Sequence, residues 1–577
     1  MLVLLALSGL RNRWSGICLR TCVSVASLSI VLGARADSWV YDWSKRVDRD
    51  GTPAGIYTNT PFPITEISTT YSIKTDEFPS GKTYNLGTLY FVDGARPDDS
   101  GDGRTLATAK KTIAAAITTA GSGNKAVIVR GAHDSFDGVY RVTVSFNRIS
   151  GIGDTNRFML TGYAQERPVI DAGYTTSMII RRGDPSPAYV TVQRLKLQNT
   201  QASGVRLGWD AVTDKRDTYF NCVDIWFYGC GNNDNNPTDG NCYYLNTDYG
   251  FISHCLFERS VGHGVKIGDG SSYCILEWCI SRENGWWPGK TNFINSRTVA
   301  LDLPSDRDTQ TNCTVRYCIA SGCVSHGLEL RRVHNFTIHH NEIYGFGHGP
   351  SMAGNMNGVV PHGVTIIATS WGHFEDNIVH SPDFGNTNGS LLQIGTSLTN
   401  SEVYICNNLL YNAAANGQSL YLDIYQAAHT FIYNNTIVQS NGTYVVATRT
   451  GQAWTNEFVN NIVWQQGTGS CAEMIYHSVA PIHHHNLLYY PSGTGPEWGT
   501  SGDSVASPQL FANPTGAFSE SFLDLRADSR AVNAGTNMLG VPASDIHGRS
   551  RAPQVDIGAA QYRLAPAKNL HRPDAAR

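Results

Sequence analysis

Ten short segments along this chain close in the same way: alternating apolar and aromatic residues run up to a Cys or an Asn. The closing residues are Cys222, Cys255, Cys279, Cys318, Asn341, Asn377, Asn408, Asn435, Asn461 and Asn486, at intervals of 23 to 39 residues. Period-2 alternation rich in Val, Ile, Phe and Tyr specifies strands, and the Gly and Asn between them specify turns. Strands this short, with no amphipathic helix between them, bury an apolar face only by stacking on their own copies. The expected fold is all-β: a single-stranded parallel β-helix of about eleven coils. The Cys/Asn column then becomes a ladder at one bend, with rungs about 4.8 Å apart. Inward Asn side chains bond to each other and to turn backbone, and small thiols fill the same slot. Zinc would need closer C-x-x-C spacing.

Length and charge leave room for this reading. A chain of 577 residues would ordinarily divide into several domains, but a solenoid extends by adding units. A net charge of -4 with no basic run gives no reason to expect nucleic acid as a partner. Arg11, Arg13 and Arg20, an apolar run from about Cys22 to Leu32, and Ala34-Arg35-Ala36 read as a signal peptide over 1–36. Cleavage near Ala36 predicts a secreted or periplasmic protein, and no later segment is long and apolar enough to span a bilayer. Of 13 cysteines, Cys18 and Cys22 would leave with the signal; the remaining eleven cannot all pair within one chain. Residues 37–85 form an unassigned N-terminal extension, 86–562 the β-helix, and 563–577 a tail expected to be disordered. Within the β-helix domain, Thr112 to Ile117 reads as a short helix capping the N-terminal end, and the protein is expected to be a monomer.

A second motif, His-Gly-aliphatic-x-aliphatic, occurs at His263, His326 and His362. Alternation turns the x residue outward. Aligning the other coils on it gives an outward column of Arg206, Tyr244, Lys266, Ala300, Glu329, Thr365, Gln393 and Tyr421, polar and aromatic as a sugar groove is. In that alignment Ala300 separates Lys266 from Glu329, whose Cα atoms lie roughly 10 Å apart. Asp302 and Arg331 fall two positions further on, with Asp269 and Arg332 in the turns beside them. The histidine column reads His263, Arg297, His326, His362. A His before Gly has two readings here, a turn cap bonded to backbone or a functional group, and both stay open. His483-His484-His485 alternates in direction along a strand and reads as surface.

These residues resemble secreted right-handed parallel β-helix proteins of the pectate-lyase superfamily, which implies the right hand for the coils. The YFVDG…DSGDG…KKTIAAAI opening at Tyr90 to Ile117 is similar to the entry segment of family nine pectate lyases and chondroitinase B-like enzymes. The D-x-x-G-R…D-I-G-A closing at Asp545 to Ala559 is similar to the end of many exported bacterial proteins of this kind. The resemblance covers about Leu89 to Tyr562 and implies a polysaccharide substrate, often acidic and cleaved by β-elimination with a Lys or Arg base and Ca²⁺ at the uronate. Two features of that pattern are absent: the clustered Asp calcium ligands of family nine, and a Lys and Arg about one coil apart.

The leading expectation is therefore a lyase of uronate-containing glycans. Removal of the C5 proton needs a base and a cation at the carboxylate. Lys266 is the candidate base with His326 its rival, Arg331 or Arg332 binds the carboxylate, and Asp302 with Glu329 or Asp269 holds Ca²⁺ or orients the cations. His263, His362, Tyr244 and Trp287 are the candidate substrate-binding residues. The first alternative is a glycoside hydrolase using Asp302 and Glu329, and the second a carbohydrate-binding adhesin without catalysis.

Overall fold

A computed structural model describes residues 70–562 apart from several internal stretches, chiefly 74–81, 211–214, 232–240, 286–297, 348–360 and 512–523. The chain winds as a right-handed parallel β-helix. One coil contributes the strands Val265–Ile267, Ile275–Glu277 and Ile280–Arg282, and the next contributes Val299–Pro304, Thr314–Arg316 and Ile319–Ser321. Each strand pairs in parallel with its counterpart one coil on, Val265 opposite Leu301, Ile275 opposite Thr314 and Ile280 opposite Ile319. The first side is a 12-stranded parallel sheet running from Val144–Ser145 to Ser470–Ile475. Alternation explains the core: Val265, Ile267, Leu301, Leu303, Leu328 and Leu330 point into one continuous apolar cluster. Each such side chain contributes roughly 1.5–3 kcal/mol when fully buried.

The ladder forms as expected from Asn341 onward. The backbone N–H of Asn341 donates to Asn377 Oδ1 at 3.0 Å, and the same bond links Asn377 to Asn408, Asn408 to Asn435, Asn435 to Asn461 and Asn461 to Asn486 at 2.9 Å. Asp503 ends the series by accepting from Asn486 N–H. Each Nδ2 also donates to a strand carbonyl, as Asn435 does to Ile405 at 2.8 Å, so these buried amides are satisfied. Upstream, thiols take the slot: Cys318 N–H donates to Asn341 Oδ1, and Cys255 N–H to Cys279 Sγ. All eleven expected cysteines are buried and free.

Cys222 departs from the expected column. It pairs with Ile252, and Ile225 lies opposite Cys255, because the left-handed residue that makes the bend in this coil is Asp224, φ 54°, so the ladder position falls on Ile225. In later coils the residue before the ladder position takes a left-handed conformation, φ 55° at His254, 53° at Trp278 and 58° at Asn407. That conformation makes the bend.

A helix, Ile113–Ala120, is capped by Thr112 Oγ1, which accepts from Ala115 N–H. It buries Ile113, Ala116, Ile117 and Ala120 in the main core. At the other terminus the D-x-x-G-R…D-I-G-A segment runs back along the side of the later coils. Asn407 Nδ2 donates to Ser544 O, Arg551 Nη2 donates to Asn407 Oδ1, and Gly558 N–H donates to Asn460 O, each at 2.8 Å. The acidic residues of the motif hold the segment's own turns: Asp545 accepts from the backbone of His547, Arg549 and Gln561, and Asp556 from that of Asn533 and Tyr562. Ile546, Ile557 and Ala559 then cover Ile378, Leu409 and Ile462 in a second apolar cluster. Among the described residues no helix is long and apolar enough to cross a membrane.

Candidate active site

The column that contains Lys266 and Glu329 is continuous in backbone register through the 12-stranded sheet. It reads Arg181, Arg206, Tyr244, Lys266, Asp302, Glu329, Thr365, Gln393, Tyr421, Ala447, Glu473. Asp302, not Ala300, therefore stands between Lys266 and Glu329, which corrects the sequence alignment by two residues. Ala300 lies in the core. The physical reason is a bend at which two successive residues face inward. A Cβ on Gly264 would sit 2.0 Å from Ser281 Oγ, one on Gly327 2.2 Å from Ile343 Cγ2, and one on Gly363 2.6 Å from Val379 Cγ1. The motif is thus outward His, inward Gly, inward aliphatic, outward x. In the intervening coil the same four positions are Val299, Ala300, Leu301 and Asp302. Arg297, placed in the histidine column from sequence, lies outside the described residues, and Val299 occupies that place.

The histidine column is a ladder in its own right. Asn241 Oδ1 accepts from His263 N–H at 2.9 Å, and His263 Nδ1 accepts from Val299 N–H at 3.1 Å. His326 Nδ1 accepts from His362 N–H at 3.0 Å, and His362 Nδ1 faces Ser390 N–H at 3.3 Å and Ser390 Oγ at 2.7 Å. The His326 and His362 rings stack 5.4 Å apart and nearly parallel. The backbone-capping reading of these histidines thus has its bonds. Sequence reasoning missed Asn241 and Ser390 as further members of this column; their place two residues before the inward apolar residue was the available signal.

Charge converges on His263. Burial pushes its ring down to about 3, and Lys266, His326 and Arg331 push the same way. Asp302 Oδ2 lies 3.5 Å from Nδ1, but that nitrogen already accepts the Val299 N–H, so the contact with a neutral ring is not an ion pair. Burial also holds His362 well below the usual imidazole range. Arg331 stands one outward position beyond Glu329, opposite Pro304 and Ile367. Arg332 follows in a left-handed conformation, φ 57°, with its N–H on Ile367 O. The structure therefore brings together Lys266, Asp302, Glu329, Arg331, His263, His326 and His362. Tyr244 joins the column by its backbone register. Asp269 and Trp287 lie outside the described residues.

The calcium expectation can be tested on the donor set. Asp302 and Glu329 supply four carboxylate oxygens at most, whereas Ca²⁺ takes six to eight oxygen ligands. Among the described residues no group of three or more His, Cys, Asp or Glu side chains is arranged to hold a metal. Four carboxylate oxygens alone do not complete such a site, and no step below passes through one.

No family model and no curated protein matches the chain. Among solved structures it is similar to pectate lyase Pel9A, with 14% identity over 83% of this chain and 98% of that one, TM-score 0.41. It is also similar to a double mutant of the periplasmic alginate epimerase AlgG, with 10% identity over 64% and 77%, TM-score 0.38. A third is the tailspike protein of E. coli bacteriophage HK620 in complex with a pentasaccharide, with 11% identity over 59% and 60%, TM-score 0.37.

Proposed function

We propose that this face cleaves glycosidic bonds of a polysaccharide by hydrolysis, with Asp302 and Glu329 as the two working carboxylates. The observation that carries the reading is their register: they are direct partners on adjacent strands, a separation of roughly 4.8 Å. Retaining glycosidases set their two carboxyl groups about 5–5.5 Å apart. Asp302, beside the Lys266 cation, is the nucleophile: its carboxylate attacks the anomeric carbon while Glu329 gives its proton to the departing glycosidic oxygen. Water then attacks the same carbon, Glu329 takes the proton, and Asp302 is released. Lys266 and Arg331 bind and orient the substrate, and a uronate would suit them.

A second reading is the β-elimination first expected from the sequence, favoured by one observation: Lys266 stands on the rung before Asp302 and Arg331 on the rung after it, one outward position beyond Glu329. Arg331 or Arg332 would then hold a uronate carboxylate, Lys266 would take the C5 proton, and the departing oxygen would receive it as the C4–C5 double bond forms. The in-register Asp302 is the feature this reading uses least.

The experiment is incubation with a panel of uronic and neutral polysaccharides. Reducing ends and the ultraviolet absorbance of an unsaturated sugar are followed together. Reducing ends without absorbance support hydrolysis, absorbance supports elimination, and neither across the panel overturns the enzymatic reading in favour of a carbohydrate-binding adhesin.

A further inference from the structure

Holding the next backbone N–H does not require histidine, since Asn241 does it in the same column with an amide oxygen. Histidine fills the position in the coils of Lys266, Glu329 and Thr365. What imidazole adds is reach. With Nδ1 accepting from the main chain, a neutral ring carries its proton on Nε2, across the ring from the ladder bond and further from the backbone than an asparagine amide extends. Val299 N–H, His362 N–H and Ser390 N–H can only donate, so the tautomer follows from the bonds and not from an assumed proton position.

We propose that His263 and His362, on either side of His326 in this column, are fixed, neutral Nε2–H donors that hold oxygen atoms of a glycan chain lying across the coils of Lys266, Asp302, Glu329 and Thr365. The proposal rests on the glycan reading above and deepens it by assigning the binding contacts. The ladder bond from His362 N–H removes His326 from the candidate bases, because a ring bonded at Nδ1 and protonated at Nε2 has no lone pair for a substrate proton. His263 and His362 keep small exposures of 7 and 8%, too little for bulk water to compete freely. A neutral donor suits a hydroxyl or carboxylate oxygen equally, so the pair binds the chain without fixing the sugar.

Histidine-to-asparagine substitution separates the two roles, because asparagine keeps the ladder acceptor, as Asn241 does, and loses the Nε2–H. The full mature protein, its histidines labelled with nitrogen-15, reports the tautomer by long-range proton–nitrogen spectra assigned through the variants. The expected result is Nε2–H with a bare Nδ1 in all three rings, and Nε2–H signals of His263 and His362 that shift when a hexamer of galacturonate, mannuronate or xylose binds. His263→Asn and His362→Asn should each keep the melting temperature and weaken hexamer binding about tenfold, the loss of one hydrogen bond in a closed site. His263→Ala and His362→Ala should lose stability as well. An Nδ1–H tautomer, or asparagine variants that bind as wild type does, overturns this proposal alone. Wild type that binds none of the three hexamers overturns it together with the glycan reading.

Discussion

Asp302 and Glu329 face each other across one rung of a parallel sheet, both turned outward and both nearly closed to water at 3% and 5% exposure. Two carboxylates so placed are costly unless cations or a protein role accompany them. Lys266 on the preceding rung and Arg331 one position beyond are the nearest candidates for balance. If the pair is catalytic, Asp302→Asn and Glu329→Gln each lower kcat by about 100- to 10,000-fold, the range for losing one general acid or nucleophile. Their melting temperatures should stay close to wild type, because each amide fills the same space. Azide should restore turnover to Asp302→Ala by replacing the missing nucleophile; rescue of the Glu329 variant alone would reverse the roles.

The one-rung separation also fixes stereochemistry. Proton spectra recorded in the first minutes of cleavage should show the new reducing end in the anomeric configuration of the bond that was cut. Inverted product would mean that the two carboxyl groups stand further apart than one rung, with a water between them.

How far the sequence carried can be judged from two residues. Asn435 was legible as a ladder member because strand period, closing Asn and following aliphatic all agree, and a one-residue slip would turn the core outward. Asp302 was not legible in its true place. The repeated His-Gly fixed the register in three coils, but here Val299 and Ala300 replace His and Gly, and Thr298-Val-Ala300-Leu301 imitates the wrong phase by two residues. Leu301 faces inward in either phase and Val299 and Ala300 are both apolar, so hydrophobicity alone does not detect the slip. Cys222 shows the complementary failure: the bend in its coil comes at Asp224, so the apolar Ile225 and not the thiol takes the column position. The tautomer of the histidines was beyond reach for a different reason, since it depends on which backbone N–H lies one coil away.

The ladder should matter for stability more than for chemistry. Asn435→Ala removes acceptors and donors that satisfy Asn408 N–H, Asn461 Oδ1 and the Ile405 carbonyl, all buried. Leaving such groups unpaired costs about 1–3 kcal/mol each before relaxation. Denaturant titration should show a loss of about 3 kcal/mol, whereas kcat at low temperature stays near wild type.

Buried neutral histidines give the fold an acid limit. His263 at about 3 and His254 at about 4 lie below the usual imidazole value, first because burial penalises the charged ring. The unfolded chain binds these protons near pH 6.5 and the folded chain does not. Stability therefore falls as pH drops from about 6.5 towards 3, with a slope of up to about 1.4 kcal/mol per pH unit for each ring. Melting temperatures across that window should flatten in His263→Asn; an unchanged slope would show that other groups set the acid limit.

Chelation separates this site from a calcium-dependent one. With two carboxylates on neighbouring rungs and no third acidic ligand among the described residues, cleavage should persist in EDTA at the untreated rate. Loss of activity that added Ca²⁺ restores would place a metal ligand set elsewhere on this face.

The most direct measurement of the central claim is the fate of solvent oxygen. Cleavage of a responsive polysaccharide in heavy-oxygen water, followed by mass spectrometry of the shortest products, should place one solvent oxygen on the new reducing end of every fragment, as attack of water at the anomeric carbon requires. Products that carry no solvent oxygen and pair with a fragment bearing a C4–C5 double bond would contradict hydrolysis by Asp302 and Glu329 and establish elimination in its place.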